Sequence, residues 1–474
     1  MRIGKWIGIF IGFFIVVYGA WILVAMTRVP TITVDYVALL NEKAAAVPEE
    51  ERAWPFYRTA GVALRHSPMP SNIFWEEEIE VPTWPAQEGW NHFDEWIEHH
   101  ASTLDAIYEG TSKEGSGFLL SGQVSDADKE LWPSEYAAQQ TQQPSNGFVI
   151  AIVLPQLSPF RQMAQLLSID AKVAASNGDA KRCLQDIESM LNLGTHAREH
   201  PVLISDLVSH SIYSMAFTTI GQIMVYEPTL FSKRQFATVE HALAQLENHL
   251  SIRLDGERYF MLDVLQRIYT DDGNGDGSLV PSNVTQLLGL TQIVPLGGTN
   301  LALTPPYFAP LTDIFHPSRK ELEVEYLKRM DFAQNSAGIP LFELKEMNNP
   351  WSSPWAQPAS HVFEPYFILD LLLPALDRAM LQAKYTRASR DATHAVLYAV
   401  QFHNETGAWP SDLTPAGVVD AWSGKPLLIT EVDGAPVLYS VGFDQEDDGG
   451  LFDSRARGWD VSADGDWIIW PSPE

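Results

Sequence analysis

The N-terminal segment restricts this chain more than any other part of it. From Trp6 to Met26 it reads WIGIFIGFFIVVYGAWILVAM, without one charged side chain. At a rise of about 1.5 Å per residue, a helix of that length crosses a hydrocarbon layer about 30 Å thick. A cleaved signal peptide has a shorter apolar stretch, about 7–15 residues, with small residues before the cut. Here Trp21 and Met26 stand where those small residues belong, so an uncleaved anchor fits better. Arg2 and Lys5 precede the run and acidic residues soon dominate beyond Arg28. The positive-inside rule then places the N-terminus in the cytoplasm and the rest of the chain outside a cytoplasmic membrane, crossed once.

The chain beyond the anchor must fold as more than one core, because 474 residues exceed the number that a single core serves. The pattern divides the chain into an anchor with its cytoplasmic tip (residues 1–29), a helical body (30–363) and a C-terminal module that begins with a long helix (364–474). With 46% hydrophobic residues the body has ample material for a core. Sixty acidic residues against 31 basic ones give a formal charge of −29, which repels phosphate backbones and excludes nucleic acid as a partner. Cys183 is the single cysteine, so no intrachain disulfide forms, and its place in an apolar helical pattern predicts a small buried residue.

Residues 27–153 predict an irregular lobe with one short helix, Glu51–Leu64, and Trp-rich connections. Trp54, Trp84, Trp90 and Trp96 suit a core or lobe interface better than a sugar-stacking platform. Beyond Ser158 the helical period takes over. Met163, Leu166, Leu167, Ala171 and Ala174 share a face, Gly178 and Asp179 supply a C-cap and an N-cap, and Cys183, Leu184, Ile187, Met190 and Leu191 resume the stripe. This αα-hairpin resembles the tetratricopeptide type, although no tandem copies recur at that repeat period. Further helices are predicted from Pro201 to Tyr226, over Phe236–Leu250 and over Arg319–Phe332. Asp271–Pro317 reads as a long loop, and a long helix runs from Glu364 to Asn404 with a kink near Pro374. Short β-like runs, PLLIT, PVLYSV and WIIW, close the chain.

Two acidic, glycine-bearing stretches carry the chemistry. The first, GFDQEDDGGLFDSRARGWDVSADGDW, sets Asp444, Asp447, Asp448, Asp453 and Asp460 in turn-forming backbone, and hard oxygen ligands of this kind suit calcium. The second, TDDGNGDGSL, places Asp272, Asn274 and Asp276 at positions 1, 3 and 5 of an EF-hand-like loop with Gly277 as its turn glycine. Position 12 is Asn283 instead of a bidentate Glu, so an acidic turn capping the preceding helix competes with a second calcium site. His196 and His200 share a helix face, but HAREH lacks a zincin's glutamate, and solvated helix-end histidines are expected.

The order AVLYAVQFHNETGAWPSDL, DAWSGKPLLI, LYSVGFD and GWDVS resembles the C-terminal part of type II secretion major pseudopilins. The likeness rests on Gly407, Trp409, Pro410, Asp420, Trp422, Pro426, Tyr439, Ser440 and Gly442. It implies a helix followed by a small β-sheet whose last loop holds calcium, with Asp444 and Asp460 as the family's direct ligands and Asp447, Asp448 and Asp453 in the variable part. The N-terminus lacks that family's prepilin pattern, and the pilin-like helix lies deep in the chain. The AWPFY start, the LPQLSPFRQMAQLL helix, the acidic glycine loop and the tail together resemble membrane-anchored proteins of planctomycete bacteria for which no activity is known.

The expected fold is therefore mainly α: a transmembrane helix, a helical body with tetratricopeptide-like packing and a small α+β pseudopilin-like module. No nucleophile elbow, P-loop or dinucleotide fingerprint is present. These features imply a membrane-anchored extracytoplasmic scaffold or binding protein with calcium in its C-terminal module, a possible protein partner and no assigned small-molecule ligand. The alternatives are an extracytoplasmic hydrolase of polysaccharide or peptide, which needs two facing carboxylates in a cleft, and a secretion-system component.

Overall fold

A computed structural model describes residues 2–76, 79–141, 147–152, 154–274, 277–291, 316–337, 339–346, 366, 368–369, 376–432, 434–451 and 465–471. Helix α1 spans Arg2–Met26, and its Trp6–Met26 stretch has a mean hydropathy of 2.5 with nearly all of its side chains left uncovered by the rest of the chain. By length and composition it is a membrane span or a signal segment.

The lobe next to it is more helical than its Pro- and Trp-rich sequence predicts. It holds α2 (Tyr36–Ala46), α3 (Trp54–His66), α4 (Ser71–Glu76), α5 (Asn91–His99), α6 (Ala101–Thr111) and α7 (Pro133–Thr141). Asp35 caps α2 by accepting from the Ala38 amide, and Pro55 sits in the first turn of α3, where a missing N–H costs nothing. Trp54, Trp84, Trp90 and Trp96 are all buried and act as core, not as a binding platform. Trp54 stacks on Trp132, and its Nε1 donates to Asp128 at 2.9 Å.

The predicted hairpin is α8 (Leu157–Ser176) and α9 (Ala180–Ala197). Gly178 takes a φ of +73°, open to glycine at no steric cost, and the Asp179 carboxylate accepts from the Arg182 amide to start α9. Leu166, Leu167, Ala171, Cys183, Ile187 and Met190 are fully or almost fully buried. Each large apolar side chain removed from water in this way contributes about 1.5–3 kcal/mol. Helix α10 (Leu203–Tyr226) is apolar on most sides because α8 and α9 cover one flank and the last long helix covers another. Helix α11 (Lys233–Gln245) begins with a capping box between Ser232 and Gln235.

Helices α12 (Asp255–Ile268) and α13 (Pro281–Thr291) come next, then α14 (Arg319–Ala337), α15 (Leu341–Glu346) and α16 (Leu376–Thr406). Helix α13 corrects the expectation of a loop throughout Asp271–Pro317: Pro281 occupies its first position, where a proline favours helix initiation. The predicted kink near Pro374 lies outside the described residues. Strands β1 (Leu428–Val432), β2 (Ala435–Ser440) and β3 (Trp467–Trp470) form one antiparallel sheet in the order β1-β2-β3. Leu428 pairs with Tyr439 and Ser440 with Trp467. Trp470 joins the apolar cluster of the body, and its Nε1 donates to the Gly221 carbonyl of α10 at 3.0 Å, which seats the sheet on the helices.

Candidate metal centre

The C-terminal module is organised around one buried carboxylate. Asp420 Oδ1 accepts from the Trp422 amide at 3.0 Å and from Ser440 Oγ at 2.6 Å, and Oδ2 accepts from Ser423 Oγ at 2.7 Å. Ser440 Oγ in turn accepts from the Gly442 amide at 3.1 Å, so the Asp420 turn is tied to the exit of β2. Gly442 has a φ of +67°, and a Cβ there would lie 2.7 Å from the Gly465 carbonyl oxygen. Only glycine lets the two ends of the acidic loop approach so closely.

Four aspartates stand on the described parts of that loop. Asp444 accepts from the Glu446 amide at 3.0 Å and from the Gly465 amide at 2.8 Å, which ties one limb to the other. Asp447 accepts from Tyr439 Oη and from the Gly449 amide, both at 3.0 Å. Asp448 is exposed. Asp466, which the sequence pattern did not nominate, is 0% exposed. Its Oδ2 accepts from the Gly450 amide at 2.7 Å, while Oδ1 has no hydrogen-bond partner among the described residues. Burial pushes the Asp466 carboxyl upward and the Asp447 and Asp448 charges add to this, against the Gly450 and Asp448 amides.

A buried carboxylate oxygen without a donor costs on the order of 1–3 kcal/mol unless a proton or a cation meets it. A hard cation fits that orphaned oxygen, and calcium would need six to eight oxygens about it. Asp453 and Asp460, the other nominated ligands, lie outside the described residues. Among the described residues, no group of three or more His, Cys, Asp or Glu side chains is arranged to hold a metal ion.

The second acidic loop is closed like a small hairpin. Tyr269 bridges Leu279, the Thr270 amide donates to the Ser278 carbonyl at 3.0 Å, and the Val280 amide donates to Ile268 at 2.8 Å. Asp271 accepts from the Gly273 amide and Asp272 from the Asn274 amide, each at 2.8 Å. These are the turn-forming bonds of short acidic side chains. Asp276 lies outside the described residues. Asn283, at the twelfth position, donates its Nδ2 to the Arg267 carbonyl at 2.7 Å instead of facing the loop.

The histidines reverse an expectation. His196 and His200 are 6% and 2% exposed, not solvated, because residues 113–118 cross over the end of α9. His196 Nδ1 lies 2.6 Å from Tyr57 Oη, and burial lowers both imidazoles to about 4. Glu199 between them accepts from the Gly117 amide at 2.9 Å. Beside this, Asp206 takes Arg198 Nε at 3.2 Å and Arg253 Nη2 at 2.6 Å in a sealed cluster.

One pair of carboxylates does meet in the body. Asp170 and Asp186 are both 0% exposed and share the Tyr108 hydroxyl, 2.5 Å from Asp186 Oδ1 and 3.3 Å from Asp170 Oδ2. Arg182 pairs with Asp170, and burial followed by the Asp170 charge drives the Asp186 carboxyl well above the carboxylate range. The pair is packed inside α6, α8 and α9, so a substrate cannot reach it. A cavity of about 610 Å³ in the N-terminal lobe is lined by Asp128 and Glu135 among others. The Asp128 carboxylate is already engaged by Trp54, Arg58 and Ser125.

Comparison with protein-family models, with curated proteins and with solved structures returned no match for this chain.

Proposed function

We propose that the chain is a membrane-anchored extracytoplasmic scaffold or binding protein whose pseudopilin-like C-terminal module is held together by calcium. One observation carries the anchor: from Trp6 to Val24 α1 leaves its large apolar side chains exposed or half-exposed while the helices of the body bury theirs. Such a surface is stable only in lipid. The charge step from Arg2 and Lys5 to an acidic body supports an outward orientation.

The calcium half of the proposal is supported by Asp466, whose Oδ1 is buried without a donor among the described residues and which feels the Asp447 and Asp448 charges. Asp444 and Asp460 are the family-type ligands that would complete the shell with it. Calcium would supply a structural charge there. Its presence would join the Asp444–Asp448 limb to Gly465–Asp466 and so hold β3 on β2 and α10.

Protease added to spheroplasts of a bacterial expression host tests the topology. The proposal expects the body to be removed and an N-terminal tag on the cytoplasmic side to survive. A body left intact in spheroplasts and digested only after lysis would overturn it.

A further inference from the structure

The anchor does not run freely into the body. Arg28 Nη1 donates to the Leu279 carbonyl at 3.0 Å, and α1 touches α13 directly. Two residues of the tether are then clamped by a single side chain: the Thr33 and Val34 amides donate to Gln266 Oε1 at 3.1 and 3.2 Å, and Gln266 Nε2 donates to the Val34 carbonyl at 2.9 Å. Gln266 is 1% exposed on α12, so the clamp is fixed in the body's second core. The tether is a strap, and the α12–α13 end of the body is held at the base of the anchor.

That end has an unusual surface for so acidic a chain. Val29, Ile32 and Val34 are 71%, 51% and 37% exposed along the strap. On α13 the exposed positions Ser282 and Thr285 are neutral. In the turn before α13, Asp271 faces Arg319 at 3.6 Å. Exposed apolar residues continuous with a membrane span are normally met by the interfacial layer of the same bilayer.

We infer that the strap and α13 form a second membrane contact, a collar of the exposed apolar residues Val29, Ile32 and Val34 and the neutral Ser282 and Thr285 that rests on the lipid surface around the anchor; this rests on the membrane-anchored reading. Anionic headgroups repel a chain of formal charge −29, so the surface that meets them is the one where exposed apolar and neutral residues adjoin the span, with the exposed Asp35 and Asp272 next to them in the sequence. The collar therefore fixes which side of the body faces the membrane and turns the C-terminal module in one constant direction.

The test uses the full chain in nanodiscs of phosphatidylcholine and phosphatidylglycerol. An environment-sensitive fluorophore is attached to Ile32→Cys, Ser282→Cys, Phe10→Cys within the anchor, or Glu98→Cys on α5, with the native Cys183 buried and unlabelled. All four sites are exposed, so the fold tolerates the change, and melting curves of the labelled proteins check this. Lipids carrying a shallow nitroxide should quench the label at Ile32 and Ser282 several-fold more than at Glu98, and deep nitroxides should quench Phe10. Quenching at Phe10 with Ile32 and Ser282 no different from Glu98 would overturn the collar and leave the anchor standing. Absence of quenching at Phe10 would overturn the anchored reading and the collar with it. Label–label contact at Ser282 between two chains, without lipid quenching, would also overturn the collar in favour of a second copy.

Discussion

The helical core and the C-terminal loop both bury aspartates, and they neutralise them differently. Asp170 has Arg182 and Asp206 has two arginines, while Asp186 has the Tyr108 hydroxyl on one oxygen, no hydrogen-bond partner among the described residues for the other, and a carboxyl that burial and the Asp170 charge raise toward the neutral form. Asp466 lies equally deep with only backbone amides about it, no cation paired with it and, among the described residues, no hydrogen-bond partner for its Oδ1. The core carries its counter-charges in the covalent chain. On the proposed reading, the loop takes its counter-charge from solution. Stability of the core should then respond to side-chain deletion and pH, and stability of the loop to cations.

The largest effect expected from breaking this contrast is in the core. Asp206→Ala strands Arg198, which is 4% exposed, and should cost about 3–5 kcal/mol in denaturant unfolding. The loss should be the same with calcium and with chelator; a calcium-dependent loss would merge the two regions. The pH response comes next. His196 and His200 are lowered from 6.5 to about 4, so their neutral forms stabilise the fold above about pH 6.5 and that stability is lost as pH falls toward 4. Each should contribute about 1.4 kcal/mol per pH unit in that window, and His196→Asn should reduce the slope measured by chemical unfolding at stepped pH. Asp186 works in the opposite sense. Its raised carboxyl stabilises the fold fully at pH below the usual carboxylate range, and this is lost as pH rises through the folded value. Asp186→Asn should remove that alkaline loss.

The smallest expected effect is at the second acidic loop. Asp272→Ala removes one turn bond and should change stability by no more than about 0.5–1 kcal/mol. Calorimetry should find the same calcium stoichiometry with and without it. A lost equivalent of calcium would promote this loop to a metal site and blur the distinction between the two acidic stretches.

Local signals explain which parts of the fold could be read from sequence. The α8–α9 hairpin was legible because Gly178, Asp179 and the apolar stripe lie within one short stretch, and each favours the same turn and the same face. The strands were legible for the same reason, since PLLIT, PVLYSV and WIIW are bounded by Gly, Pro and Asp. Burial of His196 and His200 was not legible, because it depends on residues 113–118 passing over the end of α9. Helix α13 was obscured by glycine and proline on both sides, although Pro281 was a start signal in plain view. Asp466 escaped because spacing singles out acids in turns, whereas its depth comes from Gly442 and Gly465 closing on each other while the Gly450 amide bonds its carboxylate. Its place immediately before the apolar WIIW run was the available clue: a polar residue at the mouth of a buried strand needs a partner.

The most direct test of the central claim is thermal unfolding of the full chain in detergent, with calcium and with chelator, beside Asp466→Asn and the Asp444→Ala, Asp460→Ala pair. The account predicts that calcium at about 100-fold above its dissociation constant stabilises the wild-type chain by about 2.7 kcal/mol, raising its melting temperature. Both variants should lose that rise while keeping the acid sensitivity of the core. A melting temperature unmoved by calcium in the wild-type chain, or a rise that survives in both variants, would contradict it.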